Sequence, residues 1–221
     1  MSSAWDELYV YGAGGHGKVV ADVVLRADLS GLRGFIDDAC TKPQPAGPLG
    51  LPLLGSGAWL AERALRVRIA VALGLGDNRL RQRVAQQCLA WGIVLASPVH
   101  PRAAVAPSAR LGAGTVIMAG AAVNPDATLG EGVIINTGAV VEHDNEIGDY
   151  AHLSANAATG GQVRIGALAQ LGLGAVVLPR LSVGCGSIVG AGAVVIDDLP
   201  EHVVAVGVPA RILRRCSATP L

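Results

Sequence analysis

Seventeen Lys and Arg balance seventeen Asp and Glu in a chain of 221 residues, and charged residues make up only 15% of it. No basic field is available to draw a nucleic-acid backbone or an anionic membrane surface, so neither is expected as a main partner. Hydrophobic residues reach 51%, yet charges, Gly and Pro interrupt every apolar run before the ~20 residues a spanning helix needs, and a soluble protein is expected.

The first residues carry Asp6 and Glu7 instead of basic side chains, and the short apolar stretch after them runs into glycines, so no export signal is expected. Cys40, Cys88, Cys185 and Cys216 form no C-x-x-C pair. Such spacing suits reduced, small buried thiols in a cytoplasm better than a disulfide or zinc framework. Aromatic residues amount to 3% beside thirty glycines, which leaves little room for rings in the core.

In chain order, an apolar strand over 8–11 runs into Gly12, Ala13, Gly14, Gly15, His16 and Gly17, and Val19, Val20, Val23 and Val24 then recur at helical spacing over 18–26. A second strand over 34–36 ends at Asp37 and Asp38, and a Pro/Gly-rich loop is predicted over 41–55. A helix over 58–65, a strand over 67–73, a helix over 78–90 and a strand over 93–95 complete an alternating pattern. Strand–helix alternation predicts a small Rossmann-like parallel sheet, an α/β domain spanning 1–97.

Gly12, Gly14 and Gly17 satisfy G-x-G-x-x-G between that first strand and helix, and Asp37 follows the last glycine by twenty residues, where an acid can meet a ribose hydroxyl. Glycines let the backbone approach a phosphate, and the helix N-terminus offers unpaired N–H groups. The plainer reading is a tight turn with no ligand. About ninety-five residues hold little more than one mononucleotide half, so a nucleotide-sugar fits better than a dinucleotide. The segment Gly74 to Arg79 is expected beside the glycine loop, with Arg81 either reaching a phosphate or merely solvated on its helix.

From Val99 the grammar changes. Every sixth residue through Val195 is Val, Leu or Ile in sixteen of seventeen places, the exception being Thr159. With about half of positions apolar by background, such a run has a probability on the order of one in ten thousand. A period of six fits neither helix nor ordinary strand. It fits a chain that makes a short flat face, turns and repeats, three faces closing a coil of about eighteen residues. Residues 98–221 are therefore predicted to form a parallel β-helix whose narrow axis admits aliphatics; Tyr150 is the only aromatic between Val99 and Leu199.

Within the repeat, His143 stands in the polar run Glu142–His143–Asp144, at a corner where small residues are usual. An imidazole beside a carboxylate has the parts of an oriented general base, although a surface histidine with acidic neighbours is the bland alternative. Eighteen residues on lies Gly161, so the two are expected at one edge on adjacent coils, where an open N–H of Gly161 would suit a developing oxyanion. A zinc hydratase site using His143 and His152 is the competing chemistry, but no third histidine lies near them in the register. A non-catalytic nucleotide-sugar binding protein would need no His143.

The segments YVYGAGGHGKVVADV, FIDD, LGDNRLR, INTGAVVEHDNEIGDYAHLSANA and VGVPARIL together resemble the left-handed β-helix, or hexapeptide-repeat, acyltransferases, within them the bacillosamine, perosamine and sialic-acid sugar acetyltransferases. The resemblance implies a left-handed coil and a homotrimer with active sites between neighbouring prisms. It also implies acetyl-CoA as co-substrate, no metal, and a nucleotide-activated amino sugar as acceptor, with sialic acid O-acetylation the close alternative. It makes His143 the base and Asp144 its partner. His152, Leu173 and Ala191 would lie along acetyl-CoA, and Gly14, His16, Asp37, Asp38 and Gly76 would bind the nucleotide-sugar. Arg211, Arg214 and Arg215 near the end would either meet CoA phosphates or be solvated.

Overall fold

The computed structural model describes residues 4–216, in two compact units that part between Pro101 and Arg102. In the first, β1 (Glu7–Tyr11), α1 (Gly15–Arg26), β2 (Leu32–Ile36), β3 (Leu53–Gly55), α2 (Gly57–Ala64), β4 (Ile69–Leu73), α3 (Asn78–Ala90) and β5 (Val94–Leu95) follow in sequence. The strands make one parallel sheet in the order β3-β2-β1-β4-β5. All five residues of β1 and of β4 are buried, which fits central strands of a parallel sheet covered on both faces.

The sheet is larger than the sequence pattern suggests. Leu53–Gly55, inside the predicted loop, pairs with β2 through Phe35 and Ile36 as an edge strand. Its three residues follow Pro52 and are too few for alternation to register. Helix α1 also starts three residues earlier than its apolar spacing indicates, because Gly15, His16 and Gly17 form its first turn.

The second unit is a triangular prism of parallel two-residue strands. Its first face stacks Ala104–Val105, Ala122–Val123, Val140–Val141, Ala158–Thr159, Val176–Val177 and Val194–Val195. The second face stacks Arg110–Leu111, Thr128–Leu129, Glu146–Ile147, Arg164–Ile165 and Ser182–Val183. The third stacks Val116–Ile117, Ile134–Ile135, His152–Leu153, Gln170–Leu171, Ile188–Val189 and Val203–Val206, with Arg211–Arg215 added antiparallel at its end. The fold is the left-handed β-helix. Partners are eighteen residues apart, as in Ile135 with Leu153 and Leu153 with Leu171, so one turn of the coil is one rung.

The sixfold aliphatics fill the axis: Ile117, Ile135, Val141, Leu153, Leu171, Val177, Val189 and Val195 are each 1% exposed or less. Burying each such side chain is worth roughly 1.5–3 kcal/mol, so the stacked column is the prism's cohesion. Thr159, 3% exposed, occupies the same column. Corners demand a left-handed residue, and at the first–second corner Asp126, Asp144, Gln162 and Arg180 take it, with φ between 58° and 64°.

Candidate active site

Each rung turns from the first face to the second through a corner whose leading position holds Pro125, His143, Gly161 or Pro179. The backbone there is a ladder: Asp144 donates to the Pro125 carbonyl, Gln162 to that of His143 and Arg180 to that of Gly161, all at 3.0–3.1 Å. The N–H of the leading residue takes no part in it, which is why proline is tolerated above and below. His143 donates its N–H to Glu142 Oε2 at 3.2 Å. Gly161 donates to no group among the described residues, so its N–H is the open donor of this column.

The left-handed turn at Asp144 brings its carboxylate Oδ2 to 2.7 Å from His143 Nδ1. That contact fixes the tautomer with the proton on Nδ1 and leaves Nε2 as a basic lone pair. Hydrogen bonding to Asp144 raises the His143 pKa above its ordinary value; desolvation opposes it, and the charges of Asp144 and then Glu142 add to the rise. The ring is 56% exposed. Its Nε2 lies over Gly161 so closely that a Cβ on that residue would fall 2.5 Å from it. A base with a free lone pair and an open N–H therefore stand one rung apart, the parts needed to deprotonate a nucleophile beside a carbonyl whose oxygen gains charge.

His152 lies nine residues past His143, half of one eighteen-residue coil, and so on the third face, opposite the first–second corner. Its Nε2 sits 3.1 Å from Asn136 Nδ2. Leu173, 62% exposed, and Ala191 stack at the third–first corner. One prism thus carries His143, Asp144 and Gly161 on one edge, and His152, Leu173 and Ala191 on another face and corner. The same separation keeps His143 and His152 from sharing a metal within one chain. A groove of about 670 Å3 runs along the second face between Glu146, Arg164 and Ser182 and does not include His143.

In the first unit the glycine loop is built for close approach. Gly12 has φ +105°, and a Cβ on Gly17 would overlap the Gly12 carbonyl, so α1 packs hard against the end of β1. Gly14, the N-cap of α1, has open space where a Cβ would be, which leaves the helix N-terminus accessible. A Cβ on Gly76 would meet the His16 side chain at an ordinary van der Waals distance of 3.8 Å. Asp37 accepts from Ala13 N–H at 2.8 Å and from Ala39 N–H at 3.0 Å, and so clamps the loop. Asp38 accepts from the Tyr11 hydroxyl at 2.9 Å and from Gly57 N–H at 2.8 Å.

Arg81 departs from both readings made of it. Neither solvated nor presented to a phosphate, it is 0% exposed, and its guanidinium donates to the carbonyls of Leu75 and Gly76 and to Asn78 Oδ1. It props the loop after β4 from beneath. Burial, and next the Arg81 charge, push the His16 pKa down to about 4, so that this imidazole is neutral at pH 7. Arg211, Arg214 and Arg215 lie exposed on the terminal antiparallel strand, with Arg211 3.7 Å from Asp197.

Sequence reasoning passed over two residues that shape the corner, Asn145 and Thr159. Thr159 was visible as the single lapse in the hexad; Asn145 had only its polarity at a small-residue position to mark it.

The PglD N-terminal domain model matches residues 7–88, and the bacterial transferase hexapeptide (six repeats) model matches 108–143. Among curated proteins no relative matches. A perosamine N-acetyltransferase from Caulobacter crescentus, solved as a histidine-to-asparagine variant in complex with CoA and GDP-perosamine, is 39% identical over 96% of this chain and 100% of its own, with a TM-score of 0.89. The acetyltransferase domain of PglB from Neisseria gonorrhoeae FA1090, in complex with acetyl coenzyme A, is 35% identical over 94% of this chain and 99% of its own, TM-score 0.85. WeeI from Acinetobacter baumannii AYE is 27% identical over 94% and 99%, TM-score 0.83. With a glycine-loop α/β unit, a hexad prism and relatives of this identity along nearly its whole length, the chain belongs to the hexapeptide-repeat sugar acetyltransferases of the perosamine and bacillosamine branch.

Proposed function

We propose that the protein transfers an acetyl group from acetyl-CoA to the amino group of a nucleotide-linked 4-amino-4,6-dideoxy sugar, with His143 as general base. The observation that carries this reading is the His143–Asp144 pair, 2.7 Å apart, with Nε2 free above the open N–H of Gly161. The amine nitrogen attacks the thioester carbonyl while His143 Nε2 takes its proton. Asp144 holds the imidazole and stabilises its cation, and the Gly161 N–H donates to the carbonyl oxygen as it gains charge. The C–S bond then breaks, and the proton held by His143 passes to the departing CoA sulfur. No cysteine is needed as a nucleophile.

His152, Leu173 and Ala191 are assigned to acetyl-CoA, and Gly14, His16, Asp37, Asp38 and Gly76 to the nucleotide-sugar. Arg81 acts on that site only through the loop it supports. Because the base and the residues assigned to acetyl-CoA lie on different edges of one prism, a complete site draws them from two copies, which supports a homotrimer with three shared sites. Four free thiols favour a cytoplasmic setting.

Release of free CoA in the presence of a panel of nucleotide-linked amino sugars tests the reading. His143→Ala is expected to lose about 10²- to 10⁴-fold in turnover while keeping its assembly and its CoA affinity. Turnover near that of the unmodified protein would remove His143 from the mechanism.

A further inference from the structure

Two polar side chains are buried inside the prism at the corner that carries His143, and both bind backbone of the turns that make the site. Asn145 is 0% exposed. Its amide donates to the carbonyls of Glu142, at 2.5 Å, and Gly160, at 3.0 Å, and its Oδ1 accepts from Val163 N–H at 2.9 Å. One side chain thus ties the turn 142–145, which holds His143 and Asp144, to the turn 160–163, which holds Gly161. Thr159 stands in the axial column where every other sixth residue is aliphatic. Its hydroxyl accepts from Glu142 N–H and donates to the Val140 carbonyl, each at 3.3 Å, and so ties down the residues leading into His143.

A polar group in so narrow an interior gives up the apolar burial its neighbours gain, and is retained where its bonds matter. Alternatives of the right size are present in the fold itself: Ala127, Val163 and Leu181 occupy the positions equivalent to Asn145 on other rungs. Asn145 stands only where the base does.

We propose that Asn145 and Thr159 are positioning residues that hold the His143 turn in register with the Gly161 turn, so that Nε2 and the open N–H address the same reacting carbonyl. The proposal rests on the acetyl-transfer reading for its kinetic arm. Its other arm, the titration of the His143 imidazole followed by NMR, uses no substrate and stands even where that reading fails.

The experiment compares Asn145→Val, Thr159→Val and Thr159→Ser with Thr115→Val. Thr115 makes the same kind of stitch at the second–third corner, donating to the Gly130 carbonyl at 2.8 Å and accepting from Val133 N–H at 3.1 Å, and has no part in the site. Asn145→Val and Thr159→Val are expected to lower kcat about 10- to 100-fold, with KM for both substrates within about twofold, the order expected when reacting groups lose alignment. In both variants the His143 titration is expected to fall toward its ordinary value as contact with Asp144 loosens. Thr159→Ser, which keeps the hydroxyl, is expected to restore kcat, and Thr115→Val to lower Tm without changing kcat or the titration.

Should Asn145→Val fail to fold, Thr159→Val against Thr159→Ser decides alone. The proposal is overturned if the site variants match Thr115→Val in kcat and leave the His143 titration unmoved. It is equally overturned if KM rises while kcat holds.

Discussion

Gly161 and His143 interlock: a Cβ on the glycine would lie 2.5 Å from Nε2 and 2.6 Å from Cε1 of the imidazole on the adjacent rung. The glycine is there for the ring's sake as well as for its own N–H. Elsewhere the prism uses the same device, with Gly132 beneath the Tyr150 ring and Gly186 against His202. A bulky side chain on one rung is accommodated by a residue without one on the next.

It follows that Gly161→Ala displaces the base without touching the axial column. A misplacement of about 1 Å is enough to cost on the order of 10²-fold in rate. The expected result is a drop in kcat of that size with Tm within a few degrees of the unmodified protein, measured by CoA release and thermal unfolding. An alanine variant with full activity would show that the ring has room to spare.

The pH profile should carry the mark of Asp144. A general base works in its neutral form, and Asp144 holds the His143 pKa above 6.5. The acidic limb of kcat/KM is therefore expected above pH 6.5, with the rate rising as pH rises through the raised value. Asp144→Asn removes the carboxylate charge, so the limb should move down toward 6.5 while the plateau falls. A limb that stays in place would separate Asp144 from the ionisation that matters.

How much of this was readable beforehand differs between the axis and the corners. The hexad over 99–195 places the inward residues and the rung partners within it, because an eighteen-residue coil turns sequence distance directly into stacking; beyond it the spacing slips to sixteen, as in Val189 with Ala205. It also places His143 over Gly161 and sets His152 half a coil away. The pattern says nothing of which backbone group a side chain meets, so nothing singles out Asn145, and Thr159 shows only as a lapse. Arg81 looked like any helix arginine, since nothing in its neighbours announces that it turns inward under the Leu75 and Gly76 carbonyls. The edge strand Leu53–Gly55 and the pairing of Val203–Val206 with Arg211–Arg215 are too short and too irregular to carry a period.

Arg81→Met should uncover what that inward turn supports. Removing a buried guanidinium that satisfies two carbonyls and an amide oxygen is expected to destabilise the first unit by about 2–3 kcal/mol. The nucleotide-sugar KM should rise at the same time, because the Gly76 loop loses its prop. Urea unfolding and saturation kinetics check both, and an unchanged KM would detach Arg81 from the nucleotide-sugar site.

His16 gives the first unit its own acid sensitivity. Its pKa is depressed to about 4 in the folded chain against an ordinary 6.5, so the unfolded chain takes up the proton first as pH falls. The contribution is fully present above pH 6.5 and is lost between there and about pH 4, to the extent of on the order of 3 kcal/mol. His16→Gln should flatten stability across that window, as measured by denaturant midpoints at fixed pH.

On the proposed assignment of acetyl-CoA to His152 and of the base to His143 in a trimer, the half-coil offset between them would make catalysis a property of company. A chain lacking one imidazole and a chain lacking the other are each expected to be silent alone. If the two are unfolded together, mixed in equal amounts and allowed to reassemble, about a quarter of the shared sites receive an intact histidine from each donor, by random draw around a ring of three. Activity returning from two dead preparations is the signature such an arrangement leaves.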